Sequence, residues 1–372
     1  MKKIFELKKQ SKDSSARTGV LRTAHGKILT PFFMPVATRA AVKHLTTDEL
    51  LALGSQIVLS NTYHLLLRPG MPLMEKYGGL HSFMNWKGPI LTDSGGYQVF
   101  SLSKHRKITK QGARFRDPLN GKEYFISPEK AVRIQNTIGA DIMMAFDECP
   151  PYPCARKYAL ESLEITNTWA KRCLREFARI KNSDKSAKKR LLFGIVQGSV
   201  YEDLRGMSAR ALTEMDFDGF AIGGVAVGEP REKMKDVLGW TLPFLPESKP
   251  RYLMGLGRPE EIVHAVKSGI DMFDCVIPTR EARHGRLYVP TQKRLLLKGE
   301  VRYKVMNIAN AKFARDLAPI NTTNLQQYSK AYLHHLFKTN EALGMRFATL
   351  NNLEFYHRLM SELRESIERS NI

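Results

Sequence analysis

Hydrophobic residues along this chain gather in eight short runs in which apolarity is continuous rather than alternating: 32–38, 56–60, 89–93, 141–147, 191–198, 219–224, 251–256 and 272–277. Uninterrupted runs of this length mark strands buried on both faces. Between most of them lies a stretch long enough for a helix. Ser127 and Pro128 read as an N-cap and first-turn proline before AVRIQNTIGA, and Arg258-Pro259-Glu260-Glu261 opens IVHAVKSGI. Strands alternating with helices imply parallel pairing and right-handed crossovers, so the pattern predicts an α/β fold, a (β/α)8 TIM-type barrel. A doubly wound open sheet is the competing architecture. The lack of a G-x-G-x-x-G turn after the first run weighs against it.

The rhythm breaks in two places. Residues 101–126 are polar and punctuated by Gly and Pro, and are expected to decorate the barrel as an insertion. After Pro290, TQKRLLLKGEVRYK reads as a hairpin, and two amphipathic helices follow from about residue 327. In the last of these, Tyr356, Leu359, Met360, Leu363 and Ile367 recur at helical spacing. The expected organisation is therefore a catalytic barrel over 1–290 and a mainly helical C-terminal subdomain over 291–372. No internal repeat or low-complexity tract is evident.

Composition narrows the function. The 372 residues carry 58 Lys+Arg against 37 Asp+Glu, a net charge of +21, and 43% are apolar, which excludes a disordered tail protein. The surplus of positive charge favours a polyanionic partner through counterion release, although Lys-rich stretches such as 181–190 also read as solvated loops. The four cysteines form no C-x-x-C pair, so reduced thiols are expected. No run approaches the roughly 18 apolar residues of a membrane span, and MKKIFELKKQSKDSS lacks an apolar signal core. The expectation is a cytoplasmic protein with no membrane association.

Catalytic groups of a (β/α)8 barrel sit at the C-terminal ends of its strands. Those ends carry Asn61, Asp93-Ser94, Asp147-Glu148, Gln197, Gly223-Gly224, Met254-Gly255 and Asp274. Singly, an Asp after a strand also N-caps a helix and a Gly pair also marks a turn. Their coincidence at successive strand ends points to one polar mouth. Two carboxylates on opposite walls suit displacement at an anomeric carbon, one attacking and one handling protons. A third carboxylate with a glutamine and backbone amides suits the edge of a heterocycle, and Tyr97 with Met254 would sandwich a flat ring. The composite is a site for a nucleoside's glycosidic bond.

The residues also resemble a known family, the bacterial tRNA-guanine transglycosylases. The matching strings are NTYHLLLRPG (61–70), WKGPILTDSGGYQVFSLS (86–103), MMAFDECPPYP (143–153), GIVQGSVYEDLR (194–205), IGGVAVGEP (222–230), YLMGLGRPEE (252–261) and DMFDCVIPTREAR (271–283), with AYLHHLF (331–337) extending the likeness. The resemblance implies exchange of guanine at wobble position 34 for a 7-deazaguanine queuosine precursor, with no cofactor. It implies Asp274 as nucleophile at the ribose C1′ and Asp93 as proton acceptor/donor. Ser94, Gly95, Gly96 and Tyr97 would follow Asp93 in the substrate pocket. Asp147, Gln197 and Gly224 would recognise the base, and Met254 would stack on it. The loops Gly255, Leu256, Gly257, Arg258, Pro259, Glu260, Glu261 and Thr279, Arg280, Glu281, Ala282, Arg283 would contact a tRNA with a G34-U35 anticodon. Arg280 and Arg283, planar cations with His284 and Arg286 beside them, suit phosphates or exposed bases. Their bland alternative is an ion pair with Glu281.

Finer expectations follow from the same resemblance. Cys149 and Val227, with the 225–227 neighbourhood, look like the version that takes the small aminomethyl base preQ1. Cys275 should face away from the pocket as a packing residue, since neighbours on a strand point to opposite faces. The family works as a homodimer and carries a structural zinc held by three cysteines and a histidine. Here those positions fall on Ile320, Thr322, Leu325 and Asn351, none of which supplies a thiolate or imidazole, so no metal is expected and the dimer is placed in question. Ile320 and Leu325 would recover part of zinc's contribution if buried. The competing functions are an RNA-binding subunit without activity, which needs neither Asp93 nor Asp274, and a glycan hydrolase, which gives no reason for TREAR or the positive charge.

Overall fold

A computed structural model describes residues 3–102, 106–225, 227–297 and 299–372. Each of the eight apolar runs holds a strand: β1 (Phe32–Met34), β2 (Val58–Ser60), β3 (Ile90–Thr92), β4 (Ile142–Met144), β5 (Leu191–Val196), β6 (Gly219–Ile222), β7 (Arg251–Leu253) and β8 (Met272–Asp274). They pair in parallel in sequence order from β2 through β8 and back to β1. A parallel bridge between Val36 and Leu59 brings the two ends together, so the sheet is a nearly closed barrel of the TIM type.

Alternation explains why these strands read as continuous hydrophobic runs. Phe32, Met34, Leu59, Leu91, Ile142, Met144, Phe193, Ile195, Ala221, Tyr252 and Met272 form the cluster that fills the barrel. Their neighbours Phe33, Val58, Ile90, Met143, Leu192, Phe220, Leu253 and Phe273 belong to the larger cluster beneath the surrounding helices. Both faces are dry, so neither set of positions can be polar.

The N-terminal end of the barrel is closed by a three-stranded antiparallel sheet, Phe5–Gln10, Arg17–Thr23 and Gly26–Thr30, which adds Phe5, Leu21 and Ile28 to the interior. Aspartates clip this end together. Asp141, Asp218 and Asp271 precede β4, β6 and β8, and their carboxylates accept the N–H of Ile90, Leu192 and Arg251 from the preceding strands at 2.9, 2.9 and 2.8 Å. Asp141 also accepts from the His25 main chain at 3.0 Å, and His25 Nδ1 lies 2.9 Å from it. His25 stacks on His81 with ring centroids 3.7 Å apart and planes inclined by 22°. His81 Nε2 lies 3.3 Å from the same carboxylate, which main-chain N–H groups of His25 and Ile90 also engage, so the trio ties the hairpin to the barrel.

Residues 106–126 form a separate three-stranded antiparallel sheet; residues 103–105 of the expected insertion lie outside those described. Ser127 caps the helix Pro128–Ile138 by accepting from Lys130 N–H at 3.2 Å, and Glu261 closes the helix Pro259–Lys267 onto Arg258 N–H at 2.9 Å. Beyond the barrel, Arg286–Pro290 pairs with Tyr303–Asn307, and Leu296–Leu297 pairs with Glu300–Val301 inside that hairpin. The helices Lys330–Lys338 and Ala342–Glu368 follow. Tyr356, Leu359, Met360, Leu363 and Ile367 are all buried in the main cluster.

Candidate active site

Extending each strand by one more inward-facing step passes from the dry interior into a polar mouth. Leu59 leads to Asn61, Leu91 to Asp93, Ile195 to Gln197, Ala221 to Gly223, Tyr252 to Met254 and Met272 to Asp274, each two residues on. The strand period of two therefore selects the residues that face the open end. All of them line one cavity of about 410 Å³, within the size range of small-ligand sites.

On one wall, Asp274 is held by two hydrogen bonds to the same oxygen: Tyr252 Oη–H donates at 2.6 Å and Gly255 N–H at 2.7 Å. The other oxygen, Oδ2, has no donor among the described residues. Burial raises the Asp274 carboxyl above the usual aspartate range, while these two donors oppose the rise. At the end of β3, Asp93 accepts from Asn61 Nδ2 at 2.5 Å and from Thr62 N–H at 2.8 Å. Burial pushes its carboxyl up to about 6, against hydrogen bonds from Asn61, Thr62 and Gln98, and the nearby Asp274 adds to the rise. The two carboxylates thus share a cavity and feel each other's charge.

Deeper in the pocket, Ser94 Oγ donates to Asp147 Oδ1 at 2.6 Å and Gln197 Nε2 donates to Oδ2 at 2.7 Å. Burial raises Asp147 as well, with both donors lowering it. The Gln197 carbonyl oxygen is buried and has no partner, as has that of Gln98. Unpaired buried acceptors are costly, and several around one cavity mark a place where a ligand supplies donors. Two glycines are sterically required. A Cβ on Gly96 would lie 2.3 Å from the Asp147 carbonyl, and one on Gly224, whose φ is +64°, would lie 2.5 Å from Gln197 Oε1. Gly95 sits in the same turn at φ +83°.

Ser94, Tyr97, Cys149, Val227, Gly224, Met254, Gly255 and Arg280 join the acidic residues around the cavity, and Tyr97 is 43% exposed at its rim. Cys149 is buried, and burial raises its thiol far above the ordinary range. Residue 226 lies outside the described residues, so the expectation for 225–227 rests on Val225 and Val227, both in the lining. Cys275 packs its sulfur against Gly257 in the outer cluster, as strand alternation requires, although part of the residue still reaches the cavity wall.

The two expected RNA loops divide by exposure. Arg258, Glu260, Gly255 and Arg280 are open to solvent, and Glu281 and Arg283 partly so. Leu256, Gly257, Pro259, Glu261, Thr279 and Ala282 are buried, because the helices Pro259–Lys267 and Ile277–Arg283 each turn one face inward. Their part is to shape the loops rather than to meet a partner. Glu281 pairs with Arg286 at 3.1 Å and more loosely with Arg280 at 3.8 Å, so the ion pair set against RNA contact forms for Arg280, while Arg283 donates to the Thr279 carbonyl at 3.3 Å. Arg280 and Arg286 also enter a second cleft beside the mouth, with Arg231, Arg258 and Tyr303.

Sequence reasoning gave no role to Tyr252, Gln98, His64 or Arg205. The first was legible, since it stands two residues before Met254 and must share its face; Gln98 and His64 reach the cavity from the short helices Gly96–Leu102 and Thr62–Leu67 that follow β3 and β2.

A model of the family described as queuine tRNA-ribosyltransferase matches residues 12–372. The chain is 50% identical over 372 residues to a queuine tRNA-ribosyltransferase of Vibrio atlanticus, covering 99% of this chain and 93% of the relative. It is 49% identical over the same span to the protein of that name from Lysinibacillus sphaericus, with the same coverage of both chains. To that of Symbiobacterium thermophilum it is 50% identical over 367 residues, covering 98% and 87%. The chain belongs to the queuine tRNA-ribosyltransferase family. Members of this family are pentosyltransferases.

The four positions onto which the resemblance maps a zinc site carry no metal-ligating side-chain set. Ile320 and Leu325 are each 2% exposed and lie in an apolar cluster with Leu287, Ile308, Phe313, Leu333 and Phe347. Asn351 donates to the Tyr288 carbonyl at 3.1 Å and accepts from Asn321 at 3.2 Å, while Thr322 is exposed. A side-chain amide network and an apolar plug occupy the place of a thiolate set.

Proposed function

We propose that this enzyme exchanges guanine at wobble position 34 of tRNAs with a G34-U35 anticodon for a 7-deazaguanine queuosine precursor, preQ1, through a covalent intermediate on Asp274. The observation that carries the reading is the meeting of Asp93 and Asp274 in one purine-sized cavity floored by Asp147 and Gln197. Asp274 Oδ2 attacks C1′ of the nucleotide, forming an O–C1′ bond as the N9–C1′ bond breaks, and the departing guanine takes up a proton from Asp93, which is left ionised. The incoming base then loses its N9 proton to Asp93, and its nitrogen displaces Asp274 from C1′. One N-glycosidic bond replaces another, so bonds and protons balance and no external energy source is required.

The electrostatics support this division of labour. Two hydrogen bonds favour the ionised form of Asp274 that a nucleophile needs, against the burial that raises its carboxyl. Asp93, half-titrated near pH 6, can both give and take a proton near neutrality. Asp147 offers acceptors to the N1–H and N2–H of a guanine-type edge, and Gln197 and Gly224 lie beside it. Tyr97 and Met254 cover the faces of the ring. Cys149 and Val227 leave the precursor end small, which favours preQ1. The nucleotide has to be splayed out of its stack to enter, and the basic rim of Arg258, Arg280 and Arg283 receives its neighbours. A cytoplasmic homodimer is the form in which we place this activity, since the tRNA is larger than one mouth.

Incubating the protein with tRNA and radiolabelled guanine tests the reading. Label entering tRNA with a GUN anticodon supports exchange. Tight tRNA binding without incorporation would make the chain an inactive RNA-binding subunit instead.

A further inference from the structure

The search outside the reacting groups leads to Arg205, on the helix Glu202–Thr213. Its side chain is fully buried, with 0% exposure, and it stays behind the cavity wall rather than lining it. A buried guanidinium has five N–H donors in a rigid plane, and each needs an acceptor. Here Nε donates to the Ser199 carbonyl at 2.7 Å, Nη1 to those of Gly223 at 2.7 Å and Val196 at 3.2 Å, and Nη2 to that of Gly224 at 3.2 Å.

These four carbonyls come from two different strand ends. Val196 ends β5 just before Gln197 and Ser199 lies two residues past Gln197, while Gly223 and Gly224 follow the end of β6. One cation therefore ties together the two segments that carry the base-reading amide and the base-reading glycine. The local backbone needs such a tie: Ser199 is a non-glycine residue at φ +52°, and Gly198 and Gly224 are at +130° and +64°. The two glycines adopt such angles freely, but the left-handed conformation of Ser199 is held only where surrounding structure enforces it. Gln197 N–H is fixed from the same helix, donating to Ser208 Oγ at 3.0 Å.

Resting on the exchange reading above, we infer that Arg205 is a positioning residue for base recognition, setting Gly224 against Gln197 so that their polar groups meet one edge of the incoming base. It touches no reacting atom. Lysine keeps the charge but lacks the planar fork, so it cannot span all four carbonyls.

The test is steady-state exchange with wild type and Arg205→Lys at a temperature where both are folded by circular dichroism, varying guanine and tRNA separately. The expected result is a KM for guanine raised on the order of tenfold or more, with KM for tRNA within about twofold of wild type. A role confined to folding would lower the melting temperature and leave the ratio of the two KM values alone, and that outcome overturns the inference. Should Arg205→Lys fail to fold, the Arg205 side-chain Nε–H resonance of 15N-labelled wild type is followed during guanine titration. A shift that saturates with guanine supports the coupling, and an unmoved resonance at saturation overturns it. Absence of exchange by the wild type would instead sink the exchange reading, which guanine binding measured by calorimetry on the same two proteins separates from the positioning role.

Discussion

The two ends of the barrel handle buried and half-buried aspartates differently. At the N-terminal end, Asp141, Asp218 and Asp271 each accept a main-chain N–H from the neighbouring strand, and Asp271 is further clamped by Arg17 at 2.6 and 3.0 Å. At the C-terminal end, Asp93, Asp147 and Asp274 are held by side chains and loop amides around an open cavity, next to amide oxygens that have no partner. The same residue type thus closes the fold at one end and is held ready for a ligand at the other. Main-chain donors from a neighbouring strand mark the first case, and a cavity beside unpaired buried amide oxygens marks the second.

Substitutions at the two ends should therefore separate activity from stability. The largest effect is expected for Asp274→Ala: exchange falls to background in the guanine assay, while thermal unfolding followed by circular dichroism stays close to wild type. Asp93→Asn comes next, with a loss of roughly 10²–10⁴-fold in exchange rate. It also tests pH dependence. In wild type, Asp93 gives a proton to the departing guanine and takes one from the incoming base, so incorporation should show an inflection near pH 6 and fall on either side of it as this raised carboxyl becomes fully protonated or fully ionised. The asparagine variant should lose that inflection, and a retained one would assign it to another group.

At the closed end, Asp271→Asn leaves the buried Arg17 without its charge partner, and chemical denaturation should register a loss of about 3–5 kcal/mol, with exchange at low temperature largely kept. A smaller cost, about 2–5 kcal/mol, is expected for Leu325→Ala in the apolar plug of the C-terminal region. The smallest effect expected is none: since no thiolate or imidazole stands at the four aligned positions, EDTA should leave the melting temperature unchanged, and elemental analysis should find no stoichiometric zinc. A chelator-dependent drop in melting temperature would break that part of the account.

Much of this was readable in the sequence, for identifiable reasons. The eight strands announce themselves because both of their faces are dry, and the mouth residues follow from a period of two. Asp93, Gln197, Met254 and Asp274 were found at strand ends by that logic. Arg205 was not, because a residue that acts by donating to main-chain carbonyls leaves no side-chain partner for a motif to display. Nor could spacing alone separate the exposed Arg258 and Arg280 from the buried Thr279 and Ala282 beside them. That requires knowing which helix face is turned inward.

The central claim, that Asp274 becomes covalently joined to the ribose, is tested most directly by mixing the protein with its tRNA without an incoming base, denaturing, and mapping the crosslinked peptide by mass spectrometry. The account predicts a ribose-bearing peptide containing Asp274 that disappears on adding guanine. An adduct on any other residue, or one that still forms in Asp274→Ala, would contradict it.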